Sequence, residues 1–541
     1  MKVSKHTTLA FTLSMLLLSP AASAQERAIE MKADRVIIYP QRMALTGEET
    51  LLDVLRMYPD LMQSGFSSMG DGYNIRIDNS PVNLDPRIFL NQLKAKHISK
   101  IQVCDNTGVA KGTTGANRVL DINMLRYEEG VHGIAGAQGG TDDMLACNAE
   151  ARLGSKATDL YASASYSYKD QDQAIGHQQH LSAHMTNWLG PRDRLLTYFT
   201  QQYQNTCGYS SGKTRDTNEK CMARARYFHD FNDRGTELLI VANYQYTNTP
   251  HTVYLPNEKT VTERGNNYWM SLVELNTPIA QGLDMMLGWE GDFTYSHYKQ
   301  QQEAEQKYNQ NNNDIYLQLN YQTGPWRFTI GDRIMFYRYA TGSMSHKDTR
   351  HNTEASIVAS LSSHSQLQAA YHRKFSNPSF SIDHKMTEEE WLLRKGQLYA
   401  SYINEFKLAY VYSCPCFSWS TNCYRLNMES GSDLWKLQTS AYFHTGILSA
   451  TGGANLYKLQ GASGDFATFH IDPSVSLPVG LNIGAQAIFA TKANVLPNDK
   501  DVYTAIQLSK HLGKHWTVCL DGHDLCSSHY AACLATMQYR F

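Results

Sequence analysis

The chain has 541 residues, with 49 Lys and Arg against 51 Asp and Glu, so no basic excess argues for a nucleic-acid partner. It carries 33 tyrosines but only 15 prolines. After the first 25 residues no stretch approaches the apolar length of a transmembrane helix, so a membrane role has to use closed β-structure, which leaves no backbone edge in lipid.

In chain order, Lys2 and Lys5 precede an apolar run from Leu9 to Leu18, and Ala22-Ser23-Ala24 offers a small-residue cleavage site before Gln25. The run is too short to span a bilayer, so residues 1–24 are predicted as an export signal. No Cys stands at the cleavage point to carry a lipid anchor. Residues 25–45 form an N-terminal extension containing the extended stretch "DRVIIYP".

From Thr46 the pattern is mixed. Thr46 and Glu49 make a capping-box pair opening a helix through Leu51, Leu52, Val54 and Leu55, which Pro59 ends. "YNIRIDNSPV" reads as a strand running into a turn, and Asp85-Pro86 starts a second short helix. "ISKIQV" and "NRVLDINM" read as strands separated by Gly108, Gly112 and Gly115. Residues 46–128 make a small domain.

From about Val131 the period is two. In Leu283 to Tyr298, Leu283, Met285, Leu287, Trp289, Phe293 and Tyr295 share one face, while Asp284, Glu290, Asp292, Thr294 and Ser296 share the other. "DLYASASYSYK", "DIYLQLNYQ", "LWKLQTSAYFH" and "GLNIGAQAIFA" repeat the pattern. Short turns ("GPRD", "NDRG", "AQG", "TGPW") alternate with long polar stretches (248–265, 298–313 and 340–352), as in outer-membrane barrels. Counting segments predicts a transmembrane antiparallel barrel of about 22 strands over 129–541, in contact with outer-membrane lipid. A barrel that wide needs a filling, and residues 46–128 are its candidate. The last strand ends with Met537, Tyr539 and Phe541 on one parity, placing Phe541 at the inner aromatic girdle.

The segment Thr46 to Met124 resembles the plug domain of TonB-dependent outer-membrane transporters. "TLLDVLRMYPDL" is similar to the family's helix ending in a Pro-Gly segment, with Asp60 where Gly is usual. "IRIDNSPV" is similar to its Asp-Gly strand, with Asn79 for Gly, and "LKAKHISKIQVCDNTGVAKGTTGANRVLDINM" matches its closing segment. "RKFSNPSF" followed by "RKGQLYASYINEF" looks like a recurrent barrel stretch of compact members. The terminal Met537, Tyr539, Phe541 pattern resembles the signal read by the outer-membrane assembly machinery. The resemblance implies ligand import, with no enzymatic activity and no cofactor, driven by the TonB–ExbB–ExbD energy-coupling complex. That complex would take hold of an N-terminal segment by β-strand addition. Asp34, Arg35, Val36, Ile37 and Ile38 are the candidate box; the alternative is that Val36 to Ile38 is the first strand of the plug. A plugged barrel serving as a non-transporting subunit beside a surface lipoprotein is the second reading.

Several features bear on the site. The acids Asp284, Glu290 and Asp292 are expected to face the plug, where Arg76 and Arg118 would meet them through contacts that water can replace. Cys207 and Cys221 flank one polar stretch and could close it as a disulfide. Cys414, Cys416 and Cys423 lack a zinc-site pattern, and Cys147, Cys519 and Cys533 are read as packing residues in strands. Twenty histidines invite a metal or haem reading, with His346 and His351 in one loop, His523 and His529 in another, and His180 and His184 on the opposite strand face from His177. None of these shows metal-ligand spacing. "CGYSSGKT" matches G-x-S-x-G at Gly208, Ser210 and Gly212, yet a nucleophile elbow needs a following helix, and here the sequence leads into a strand. The ligand itself is not encoded in any local motif; the stretch from Gln63 to Asp71 is a candidate apex of the plug.

Overall fold

The computed structural model describes residues 28–43, 51–56, 73–77, 80–81, 93, 95–104, 118–125, 130–140, 144–171, 174–208, 213–255, 258–300, 305–341, 344–376, 401–414, 416–428, 433–445, 448–459, 466–477, 481–491, 502–512, 516–523 and 532–540. The signal segment, the Thr46–Glu49 cap, the helix expected after Asp85, the stretch Gln63 to Asp71, His529 and Phe541 lie outside these residues. No described helix is long and apolar enough to cross a membrane, which says nothing of a barrel.

The N-terminal part is one six-stranded sheet. Its strands are β1 (Ile29–Met31), β2 (Arg35–Ile38), β3 (Tyr73–Ile77), β4 (Ser80–Pro81), β5 (Ile98–Cys104) and β6 (Arg118–Met124), in the order β1-β2-β5-β6-β3-β4. The pair β3/β6 is parallel and the other neighbours are antiparallel. The helix α1 (Leu51–Arg56) buries Leu51, Val54 and Leu55 against Ile75, Ile101 and Leu120 of the sheet. The spacing of those three leucine and valine positions puts them on one side of a single helical turn and a half, which is all the apolar face so short a helix can offer.

Residues from Gly130 to Arg540 form a closed antiparallel barrel. Its outer face carries Ile315, Leu317, Phe328, Ile330, Phe406 and Leu408 exposed, among others, which only lipid can cover at low cost. The inner face is polar and buried. Twenty-three described segments close the circle. Two of them, Glu237–Asn248 and His251–Leu255, both pair with Lys213–Asp230 on one side and with Glu258–Ala280 on the other. They lie end to end as one strand interrupted at Thr249-Pro250, because Pro has no N–H to give the ladder. The wall is therefore 22 strands round, as the alternation predicted. The last strand, Ala532–Arg540, closes on the first, Gly130–Gly140, with Met537 opposite Ala137 and Tyr539 opposite Ala135. Met537 points outward and is 55% exposed.

The long polar stretches read as loops are largely strand. Residues 251–255 and 258–262 pair as a ladder, the strand Leu283–Gln300 pairs with Gln306–Thr323 as far out as Tyr298 and Gln306, and Trp326–Thr341 pairs with Met344–Ser360 up to Thr341 and Met344. About 9–11 residues suffice to cross the lipid, while one strand here runs for 23. Beyond the membrane both faces are wet, so the alternation that marks a strand vanishes although the backbone pairing continues.

Candidate functional site: the interface between plug and barrel

The N-terminal sheet touches inward-facing side chains on well-separated parts of the wall, so it sits inside the barrel. On one side, Ala28, Ile29, Met31 and Ala33 pack against Val358, Val411 and Tyr442. The turn between β1 and β2 adds polar contacts. Asp34 accepts from Arg35 at 2.7 Å and from Arg327 at 2.5 Å. The Ala33 N–H donates to Gln366 Oε1 at 3.2 Å, and Lys407 Nζ donates to the Ala33 carbonyl at 3.3 Å. Burial alone would raise the Asp34 carboxyl. The charges of Arg35, Arg327 and Lys407 outweigh it and hold the group below its ordinary range.

Across the sheet a second anchor forms at the 3-10 turn Ala95–His97. Glu150, on the wall strand Met144–Gly154, accepts from Lys96 Nζ at 3.2 Å and lies 2.7 Å from His97 Nε2. The His97 ring stands edge-on to Tyr161, with centroids 4.8 Å apart. Burial pulls the His97 pKa down, against the pull of Glu150, so the ring is neutral at pH 7 and donates from Nε2. Two residues along the same strand, Arg152 donates to the Leu125 carbonyl at 2.9 Å while bound to Asp159. Both anchors are built on charge-assisted bonds, which water can replace when the surfaces part.

The residues expected to carry this interface are arranged differently. Arg35 to Ile38 is strand β2, with β1 on one edge and β5 on the other. Both edges are occupied, so in this conformation the candidate box has no free edge for strand addition; the alternative, a plug strand, describes it. Of the three acids, Glu290 accepts from Arg333, which also bonds Asp314 at 3.0 Å. Asp292 accepts from Tyr268 at 2.5 Å, and Asp284 is exposed beside the turn at Gln281-Gly282. Glu290 and Asp292 are held by neighbouring wall strands. Strand parity gave their facing correctly; partners 24 and 43 residues away were set by register. Arg76 is buried on β3 and lies near Arg224 of the wall. The side chain of Arg118 is outside the described residues. Asp34 was singled out for the candidate box and not as an anchor to the wall; Lys96, His97, Glu150 and Arg327 were missed, although "AKH" directly before a strand was visible.

The cysteine expectations change too. Cys207 is opposite Arg215 and Cys221 opposite Gln201, six ladder positions apart and so on the order of 20 Å. A disulfide needs Cα atoms within about 7 Å, and both thiols are free. The pairing fails because the described residues between them form a continuous ladder. Cys147 and Cys533 face outward and are exposed instead of packed. Cys414, Cys416 and Cys423 are free. His346 points inward and His351 outward along the one strand Met344–Ser360, so they share no loop. Among the described residues no three His, Cys, Asp or Glu side chains are grouped to hold a metal. The G-x-S-x-G stretch joins the strands Asp193–Gly208 and Lys213–Asp230, with no helix following.

No protein-family model and no curated sequence matches this chain significantly. Solved structures do match in fold. The copper transporter OprC superposes with a TM-score of 0.74 at 8% identity, over 95% of this chain and 99% of that one. The alcaligin outer-membrane receptor FauA from Bordetella pertussis gives 0.71 at 12%, over 97% and 96%. The ferric-catecholate import receptor Fiu from E. coli K12 gives 0.71 at 11%, over 96% and 97%. At such identities the likeness establishes the fold, a large barrel of the bacterial outer-membrane type.

Proposed function

We propose that the chain is a TonB-dependent-type receptor of the bacterial outer membrane that imports a ligand through its plugged barrel. The observation that carries this reading is a folded N-terminal sheet tied at two polar anchors to inward-facing side chains of a closed 22-stranded wall. A permanent structural filling would be better served by an apolar interface, because buried ion pairs add little net stability. Polar anchors suit a body that has to come loose. The similar structures are named for copper, alcaligin and a ferric catecholate, which makes copper and ferric chelates the first ligands to try.

The test is growth of a host stripped of its own chelate receptors and carrying this chain, on a panel of ferric and cupric chelates, with and without TonB–ExbB–ExbD. Growth on at least one chelate only when the complex is present supports import. No chelate supporting growth, together with a lipoprotein that stays bound through detergent purification, supports the second reading, a non-transporting subunit of a surface complex. The occupied edges of β2 favour that second reading.

A further inference from the structure

The wall neutralises several of its buried arginines with acids on nearby strands or on the arginine's own strand. Arg333 has Glu290 and Asp314, Arg152 has Asp159, and Arg350 has Asp348. Arg224 breaks this pattern. It lies on the inner face of the strand Lys213–Asp230 and is 7% exposed. Directly opposite on the two flanking strands are Tyr198 and Asn243. The neighbouring inward positions on those strands are Leu196, Thr200, Val241 and Gln245, so no carboxylate comes from either side. Among the described residues neither Arg224 Nε nor Nη2 has an acceptor. Asn243, 2% exposed, has no partner at Nδ2 or Oδ1, and Gln202, 6% exposed, has none at Nε2.

On the plug side, Arg76 of β3 lies close enough for its charge to repel that of Arg224, with the buried Asp121 of β6 directly opposite Arg76 in the plug sheet. Lys220 adds a third cation four positions along the same strand face. A buried guanidinium with open N–H groups, next to a second cation and an amide donor, is an unfavourable arrangement by itself. A small anion accepts from the open N–H groups and offsets the buried positive charge. The fork of Arg224 matches two oxygens of a carboxylate or phosphate.

We propose that the inner face of this wall strand, on the side towards Arg76, binds a small oxyanion, a carboxylate or phosphate group, with Arg224 as the principal ligand and Asn243 Nδ2 as a second donor. The site sits deep beside the plug, and it binds its anion whether or not the protein imports cargo.

The experiment is calorimetric titration of the full mature chain in detergent with inorganic phosphate and, separately, with acetate, at ionic strength matched with chloride. Saturable binding of one equivalent of either is expected. Saturation by phosphate alone assigns a free inorganic ion as the source, and saturation by acetate assigns the carboxylate of an organic ligand. Arg224→Gln is expected to weaken binding by at least about tenfold, because a charged hydrogen-bond pair is lost. Arg224→Lys should retain part of the affinity, as a point charge without the fork. Should Arg224→Gln fail to fold, Asn243→Ala leaves the charge in place and is expected to weaken binding several-fold. The proposal is overturned by no saturable binding to the wild-type chain. It is overturned equally by an affinity unchanged in Arg224→Gln, or unchanged in Asn243→Ala.

Discussion

Asp34, in the turn between the first two strands of the plug, and Arg327, near the start of a wall strand, share a charge-assisted bond across 293 residues of sequence. Arg35 grips the same carboxylate oxygen. The pair ties the edge hairpin of the plug to the barrel, and with Lys407 and Gln366 it defines where that edge rests.

Asp34→Asn should loosen that edge, since two guanidinium groups and Lys407 lose their common counter-charge. Arg327 is partly exposed, so solvent moderates the loss to about 1–2 kcal/mol. Faster protease cleavage near Ala33 in the variant, with the barrel intact, is the expected readout. Equal cleavage rates would remove the anchor from the account.

The same carboxyl sets a pH dependence. Its pKa is lowered in the folded protein, so its contribution is complete at neutral pH and persists down to about 3.9, the value for an unfolded aspartate. Below that it is lost as pH falls through the lower folded value. Plug protection from protease should therefore hold from pH 7 to about 5 as far as this group is concerned. In Asp34→Asn the part of the acid loss that occurs below pH 4 should shrink. A wild-type and variant acid profile of the same shape would contradict it.

Glu150→Gln removes the acid from Lys96 and His97 at the opposite anchor while both remain buried. Breaking a buried pair from one side costs about 3 kcal/mol. Reversible urea unfolding in micelles is expected to show that scale of loss. Adding Lys96→Met to Glu150→Gln should recover part of it, because the stranded cation is then gone. No recovery would mean the charge pairing is not the source.

Gly288 leaves room for Tyr316, whose ring lies where a Cβ would stand, 2.2 Å from Cζ. That placement lets Tyr316 donate to Glu274 at 2.6 Å and lie 4.9 Å beneath the Arg333 guanidinium. Gly288→Ala should displace the ring and cost about 1–3 kcal/mol in unfolding free energy. Tyr316→Ala should cost less in the Gly288→Ala background than alone. Additive effects would show that the glycine serves some other need.

Sequence by itself determined the architecture. Alternation along a strand is a property of consecutive residues, so Leu283 to Tyr298 displayed a greasy and a polar face before any partner was known, and 22 such segments implied closure. The helix at Leu51 and the strands at Ile98 and Arg118 were legible for the same local reason. Tertiary structure alone decided who meets whom. Whether Val36 to Ile38 was a free peptide or a plug strand depended on β5, more than 60 residues away. The fates of Cys207 and Cys221 depended on ladder register, and so did the partners of Glu290 and, among the described residues, the lack of an acid beside Arg224. Facing is fixed by the period of a single strand, but pairing is fixed by the stagger between strands, which no single strand encodes.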